Sequence, residues 1–247
     1  MASIKRRTEV TRARLLALLF PRRCPFCGAL LGADAVQGTV CPACLPEEMR
    51  LQHLPPRLPE GEHAFYALGQ AAAAYYYADA VRGAILRCKR GGRPWYAQEL
   101  ADRMAVLIFG ALPARRVGEL PQYSCIVPVP PNKPRPGVPG LPLLLARRLS
   151  AVLGIPVVTP LYIKNPGRPQ KELNREERLR RAKAAFACCP GTDLTGKRVL
   201  LVDDIITTGA TASACAAALL QAGAIEVTAA AIAATEELPK AQQKKEH

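Results

Sequence analysis

The chain has 247 residues, 49% of them hydrophobic, which is enough to bury a core and excludes a wholly disordered chain. Lys and Arg total 34 against 20 Asp and Glu, so the net charge is +14, a balance that favours phosphate-bearing partners without choosing among them. No apolar run approaches the about 18 residues of a membrane span, and Leu15 to Phe20 runs into Pro21 and Arg22 with no small-residue cleavage pattern, so the expectation is a soluble, cytoplasmic chain.

Residues 8–20 read as a short amphipathic helix, with Leu15, Leu16, Leu18 and Leu19 against Arg12 and Arg14. Two C-x-x-C turns follow, Cys24-Pro25-Phe26-Cys27 and Cys41-Pro42-Ala43-Cys44, with thirteen residues between them. Each turn aims two sulfurs at one point, and Gly28 supplies a backbone free to turn back. Disulfides conflict with an intracellular chain. A redox pair needs only one such turn, in a βαβ context that is missing. One closed, structural zinc held by Cys24, Cys27, Cys41 and Cys44 is therefore expected, in a module that needs the metal to fold. Cys88, Cys125, Cys188, Cys189 and Cys215 lack ligand spacing and read as small buried hydrophobes. His53 and His63 read as linker residues, in a stretch where Leu54 to Gly61 carries three prolines and suits an extended spacer.

From about residue 65 the pattern changes. Ala71 to Tyr77 is Tyr-rich and reads as a strand. Asp79 can cap a helix to about Lys89, ended by Gly91 and Gly92. Pro94 can open a second helix to about Gly110. Ser124 to Val129 reads as a buried strand that ends in a proline-rich loop, 130–142. A helix over 141–153, a strand over 156–163 and a charged stretch over 170–186 follow. Arg198 to Val202 is an apolar strand, 209–222 a helix of small residues, and Ile225 to Ala233 a last strand. The tail from Glu236 reads as polar and frayed. Strands alternating with helices predict an α/β fold with a mainly parallel sheet.

The most informative segment is Val199-Leu200-Leu201-Val202-Asp203-Asp204-Ile205-Ile206-Thr207-Thr208-Gly209-Ala210-Thr211. An apolar strand meets two acids, and a Thr/Gly loop then opens a helix. Ligands of open α/β sheets sit beyond the carboxyl ends of the strands. A helix start offers unpaired N–H groups and a positive dipole end, which suit a phosphate. Thr207, Thr208 and Thr211 add hydroxyls, and Gly209 lets the backbone come close. The two acids can accept from a ribose diol or help hold a Mg2+-bound substrate. Gly191 to Arg198 comes near a P-loop, but Arg198 stands where Ser or Thr should be, and the stretch precedes a strand instead of opening a helix.

This segment resembles the 5-phosphoribosyl-1-pyrophosphate (PRPP) motif of type I phosphoribosyltransferases. With the four-cysteine module, Ala84 to Gly92 and Ile126-Val127-Pro128-Val129-Pro130, nearly the whole chain resembles the ComF family. The resemblance implies a type I phosphoribosyltransferase-like, mainly parallel sheet flanked by helices over 61–236. A helix, a small zinc-ribbon-like module and a linker would precede it over 1–60, and a polar tail would follow over 237–247. It implies that Asp203 and Asp204 bind the ribose hydroxyls of PRPP and that Thr207, Thr208, Gly209, Ala210 and Thr211 cradle its 5-phosphate. Lys89 would reach the pyrophosphate, and Gln170 and Arg175 match a segment that covers the site. Mg2+ would accompany PRPP, with structural Zn2+ in the cysteine module. Family proteins are tied to natural competence, which makes single-stranded DNA and competence proteins expected partners. The basic clusters Lys5 to Arg23 and Lys164 to Lys183 fit an alternative reading, a catalytically silent nucleotide- or DNA-binding adaptor on the transferase fold. The family's Arg-Gly-Phe-Asn-Gln run after the Val-Pro-Val-Pro strand gives way here to Lys133-Pro134-Arg135-Pro136-Gly137.

Overall fold

A computed structural model describes residues 23–32, 40–61, 63–90, 95–111, 123–164 and 185–239. The expected helix over 8–20, most of the charged stretch over 170–186, Gln170, Arg175 and the glycines that should end the first helix of the domain lie outside these residues.

In chain order the elements are α1 (Leu45–Leu51), β1 (Gln70–Tyr76), α2 (Asp79–Arg90), α3 (Trp95–Phe109), β2 (Cys125–Pro128), α4 (Leu141–Leu153), β3 (Leu161–Ile163), β4 (Phe186–Cys188), β5 (Arg198–Ile206), α5 (Ala210–Gln221) and β6 (Glu226–Ala234). Four strands form one sheet in the order β1-β6-β5-β2, and every pairing is parallel. The central strands are apolar on both faces, as a sheet covered on both sides requires. Leu200, Val202 and Ile126 face a layer built from Val81 and Ile85 of α2, Leu100 and Met104 of α3, and Leu145 and Leu149 of α4. Val199, Leu201, Ala229 and Ala231 face α5 through Ala214, Cys215 and Leu219. The fold is thus the predicted parallel α/β sandwich, and the carboxyl ends of its strands lie along one edge.

Both outer strands are covered by irregular chain. The segment read as a spacer lies antiparallel along β1: His53 N–H donates to Ala74 O at 2.9 Å, Leu58 N–H to Ala71 O at 2.8 Å, and Ala73 N–H to Pro56 O at 2.8 Å. An open edge needs partners for its N–H and C=O groups, and the prolines, lacking N–H groups, restrict this segment to edge pairing. Along β2, Ile126 N–H donates to Pro156 O at 2.8 Å and Val158 N–H to Ile126 O at 2.9 Å. The strand expected over 156–163 is therefore two pieces. Val157 bridges β2, while β3 turns away to pair antiparallel with β4. Pro160, between them, has no N–H to continue a ladder.

Three further expectations change. The Asp79 carboxylate does not cap α2 but binds Arg50 of α1 at 2.7 Å. β5 runs on through Asp203 and Asp204 to Ile206, because β6 stays paired beside it as far as Ala234. The expected fraying from Glu236 does not apply to that residue, whose carboxylate sits 2.7 Å from His53 Nε2 and is nearly buried.

The cysteine turns share the main core. Cys24, Phe26, Val40 and Cys41 pack in the same cluster as Leu51, Tyr75, Leu100 and Met104. Phe26 meets Tyr75 edge to face at 5.8 Å. Below them, the fully buried Glu48 of α1 accepts from Tyr75 OH at 2.5 Å, from Gln52 Nε2 and from Arg103 of α3. Three elements are pinned by one carboxylate.

Candidate functional site

Asp203 and Asp204 are neighbours on β5, and successive strand residues point to opposite faces. Asp204 looks to the α2 layer, where Lys89 Nζ lies 2.9 Å from its Oδ1. It also helps raise the pKa of Cys88 to about 12, an effect led by burial of the thiol. Asp203 looks to the α5 layer, where it adds to the burial that pushes the Cys215 thiol up. Burial first, and repulsion from Asp204 second, push Asp203 up to about 7. The Asp204 N–H, donated to Asp203 Oδ1 at 2.8 Å, and the charge of Lys89 both work against that rise. Asp204, paired with Lys89, and Asp203, half-protonated near neutrality, both offer carboxyl oxygens that could accept from a diol.

The loop after β5 exposes Thr207 and Thr208 and then turns at Gly209, φ 76°, the left-handed conformation that favours glycine. α5 begins at Ala210, so the N–H groups of its first turn open beside the acids. Thr208 Oγ1 accepts from Ala210 N–H at 3.4 Å. Segment 63–66 covers this loop from outside: Ala64 N–H donates to Thr208 O at 2.8 Å. The Tyr66 N–H donates to Ser213 Oγ at 3.2 Å. The expected site residues Lys89, Asp203, Asp204 and Thr207 to Thr211 thus come from α2, β5 and the start of α5. Gln170 lies outside the described residues.

The four sulfurs of Cys24, Cys27, Cys41 and Cys44 lie within 4.8 Å of one another. Cys27 Sγ and Cys41 Sγ are 3.6 Å apart, close to the about 3.8 Å edge of a tetrahedral zinc–thiolate site. The first turn closes by Gly28 N–H to Cys24 O at 2.9 Å, the second by Cys44 N–H to Cys41 O at 3.0 Å. Gly28 has φ 81°, and a Cβ there would meet the Tyr96 hydroxyl at 3.0 Å. Burial and the neighbouring thiols hold the Cys44 thiol well above its usual range. A divalent cation would relieve that crowding, so the cluster could hold a zinc ion, which would supply a structural cross-link. Arg87 of α2 donates to Pro25 O of the first turn at 3.4 Å, two residues before Lys89.

Sequence reasoning missed Phe65, Ser213, His53 and His63. The histidines are buried: His53 stacks on Tyr76 at 4.6 Å, and His63 on Phe65 at 5.0 Å. Phe65 is a near neighbour of His63, but His53 meets Tyr76 of β1 and both rings face Glu236 beyond β6, separations that no local pattern carries. Ser213 sits inside a run of alanines, where only the singular hydroxyl gave a signal.

Residues 137–247 match the model of the phosphoribosyl transferase domain. An adenine phosphoribosyltransferase of Nocardia farcinica (strain IFM 10152) is 37% identical over 98 residues, a match covering 39% of this chain and 50% of that protein. The chain therefore spans half the length of the curated relative it matches. A solved structure of glutamine PRPP amidotransferase from B. subtilis, complexed with ADP and GMP, aligns with TM-score 0.36 and 22% identity over 54% of this chain and 25% of that one. Among the described residues no helix is long and apolar enough to cross a membrane. Residues 137–247, the stretch that matches the phosphoribosyl transferase domain model, carry the apolar strand, the two acids, the Thr/Gly turn and the helix α5 that follows.

Proposed function

We propose that this chain binds Mg2+-PRPP and transfers its phosphoribosyl group, as a ComF-like protein with a structural zinc. The observation that carries the reading is the Lys89–Asp204 ion pair, with Asp203 next to it on β5, on the strand that leads through Thr207 to Gly209 into α5. The carboxylates of Asp203 and Asp204 accept the ribose hydroxyls. The backbone N–H groups and hydroxyls of Thr207 to Thr211 hold the 5-phosphate. In the free protein Lys89 and Asp204 neutralise each other. On binding, Lys89 turns to the pyrophosphate, where its charge stabilises the departing group. Mg2+, bound with the substrate, supplies further charge neutralisation of the pyrophosphate. An acceptor nitrogen then bonds to C1 as the C1–O bond to pyrophosphate breaks, and pyrophosphate leaves with that electron pair. By the same resemblance, the protein serves DNA uptake in the cytoplasm, with competence proteins and single-stranded DNA nearby.

A second reading is a PRPP or nucleotide binder without turnover. It is favoured by the loop after β2, which is exposed and proline-rich from Pro131 to Pro139. The test is pyrophosphate release from Mg2+-PRPP with ammonia and the nucleobases as acceptors. Release by the wild type and none by Asp204→Asn supports transfer. PRPP bound but never cleaved across the panel leaves the silent binder.

A further inference from the structure

We infer that His63 to Tyr66 form a positioning strap that presets the Gly209 N–H for the phosphate, an inference that rests on reading 207–211 as a phosphate cradle. The Ala64 N–H holds the Thr208 carbonyl at 2.8 Å. In a trans peptide the C=O and the following N–H point opposite ways. Holding the Thr208 carbonyl against the strap therefore aims the Gly209 N–H away from the strap. That N–H meets no acceptor among the described residues.

The strap also fixes the glycine itself. The Phe65 ring lies so close to the Gly209 Cα that a Cβ there would overlap Phe65 Cε1 and Cδ1. The ring occupies the space of the missing side chain and holds the backbone at φ 76°. One turn into α5, the fully buried Ser213 ties the strap to the helix. Its Oγ accepts from Tyr66 N–H at 3.2 Å and donates to Ala64 O at 3.4 Å. Behind the strap, His63 stacks on Phe65 with ring planes 5° apart, and its Nδ1 donates to Pro59 O at 3.2 Å. Its Nε2 lies 4.0 Å from Glu236 Oε1, on a carboxylate that His53 holds from the other side. The loop is thus braced from the segment before β1 and from the segment after β6. A donor aimed before the ligand arrives needs no reorganisation on binding, which is where its contribution comes from.

The test uses the full-length, zinc-loaded chain, titrated calorimetrically with ribose 5-phosphate and, separately, with inorganic pyrophosphate, both with Mg2+. Phe65→Ala should weaken ribose 5-phosphate at least about tenfold and leave pyrophosphate within about twofold, with Phe65→Tyr restoring most of the loss. Ser213→Ala, which keeps the ring, should weaken ribose 5-phosphate about threefold or more and serves if Phe65→Ala does not fold. Leu149→Ala, a truncation in the core layer on the opposite face of the sheet, should lower Tm and leave both affinities unchanged. Equal weakening of both ligands, or no change in ribose 5-phosphate binding, overturns the strap. A wild type that does not bind ribose 5-phosphate overturns the cradle reading itself, and the strap's role with it.

Discussion

Raising the pH from 6 to 8 is expected to strengthen Mg2+-PRPP binding about tenfold, because Asp203 sheds its proton across that interval. Burial and the neighbouring Asp204 push its pKa up to about 7. About one-tenth of the molecules then carry the ionised acid at pH 6 and about nine-tenths at pH 8. If the ribose diol is bound by the ionised form, the apparent affinity scales with that fraction. Two substitutions should move the midpoint in opposite directions. Asp204→Asn removes the repulsion and lowers it, whereas Lys89→Met removes the attraction and raises it. The ligand's own phosphate titrates near pH 6 in every variant alike, so the displacement between variants carries the information. Calorimetric titrations across this range in all three proteins would measure it. A midpoint that is the same in all three would refute the electrostatic coupling of Lys89, Asp203 and Asp204. The free protein should show the opposite trend in stability. The folded pKa of Asp203 lies above its unfolded value, so the folded state holds the extra proton and loses stability as the pH rises from about 4 to about 7.

Glu48→Ala should cost about 3–5 kcal/mol, since it strands Arg103 beside the buried Tyr75 hydroxyl. For a chain of this size that lowers Tm by roughly 10 °C, and a fall of under about 2 °C on thermal unfolding would show that the network is not holding α1 to the sheet. Chelation of zinc should lower the Tm of the whole chain in one transition, because Cys24, Phe26 and Cys41 belong to the main core. Mass spectrometry should find one zinc per chain. An unchanged Tm after metal removal, or loss of metal binding on none of the four Cys→Ser substitutions, would contradict that role.

Local pattern made the parallel sheet and the acid–Thr–Gly loop legible. The central strands are unbroken apolar runs, and small residues mark α5. The spacing of the four cysteines was equally readable, because the two turns are local and self-contained. Lys89 came from the family resemblance, and the short distance to Asp204 follows from α2 packing over β5. What local pattern could not carry were pairings set by edges and by distant segments. The prolines of 55–59 announced an extended segment, but only the open edge of β1 dictates where it lies. His53 and His63 looked like linker residues because their partner, Glu236, lies beyond the last strand. Asp203 and Asp204 looked terminal on β5 until β6, paired as far as Ala234, carried the ladder past them. The cysteine turns read as a separate module because their spacing is self-sufficient, yet Phe26 and Glu48 pack into the shared core.

The most direct test is a calorimetric titration of the zinc-loaded wild type and of the Asp203→Asn, Asp204→Asn double variant with Mg2+-PRPP. Saturable binding at one site is expected for the wild type and none for the double variant, with unchanged thermal unfolding of the variant's free form or a small gain. Equal binding by both proteins, or no binding by the wild type, would contradict it.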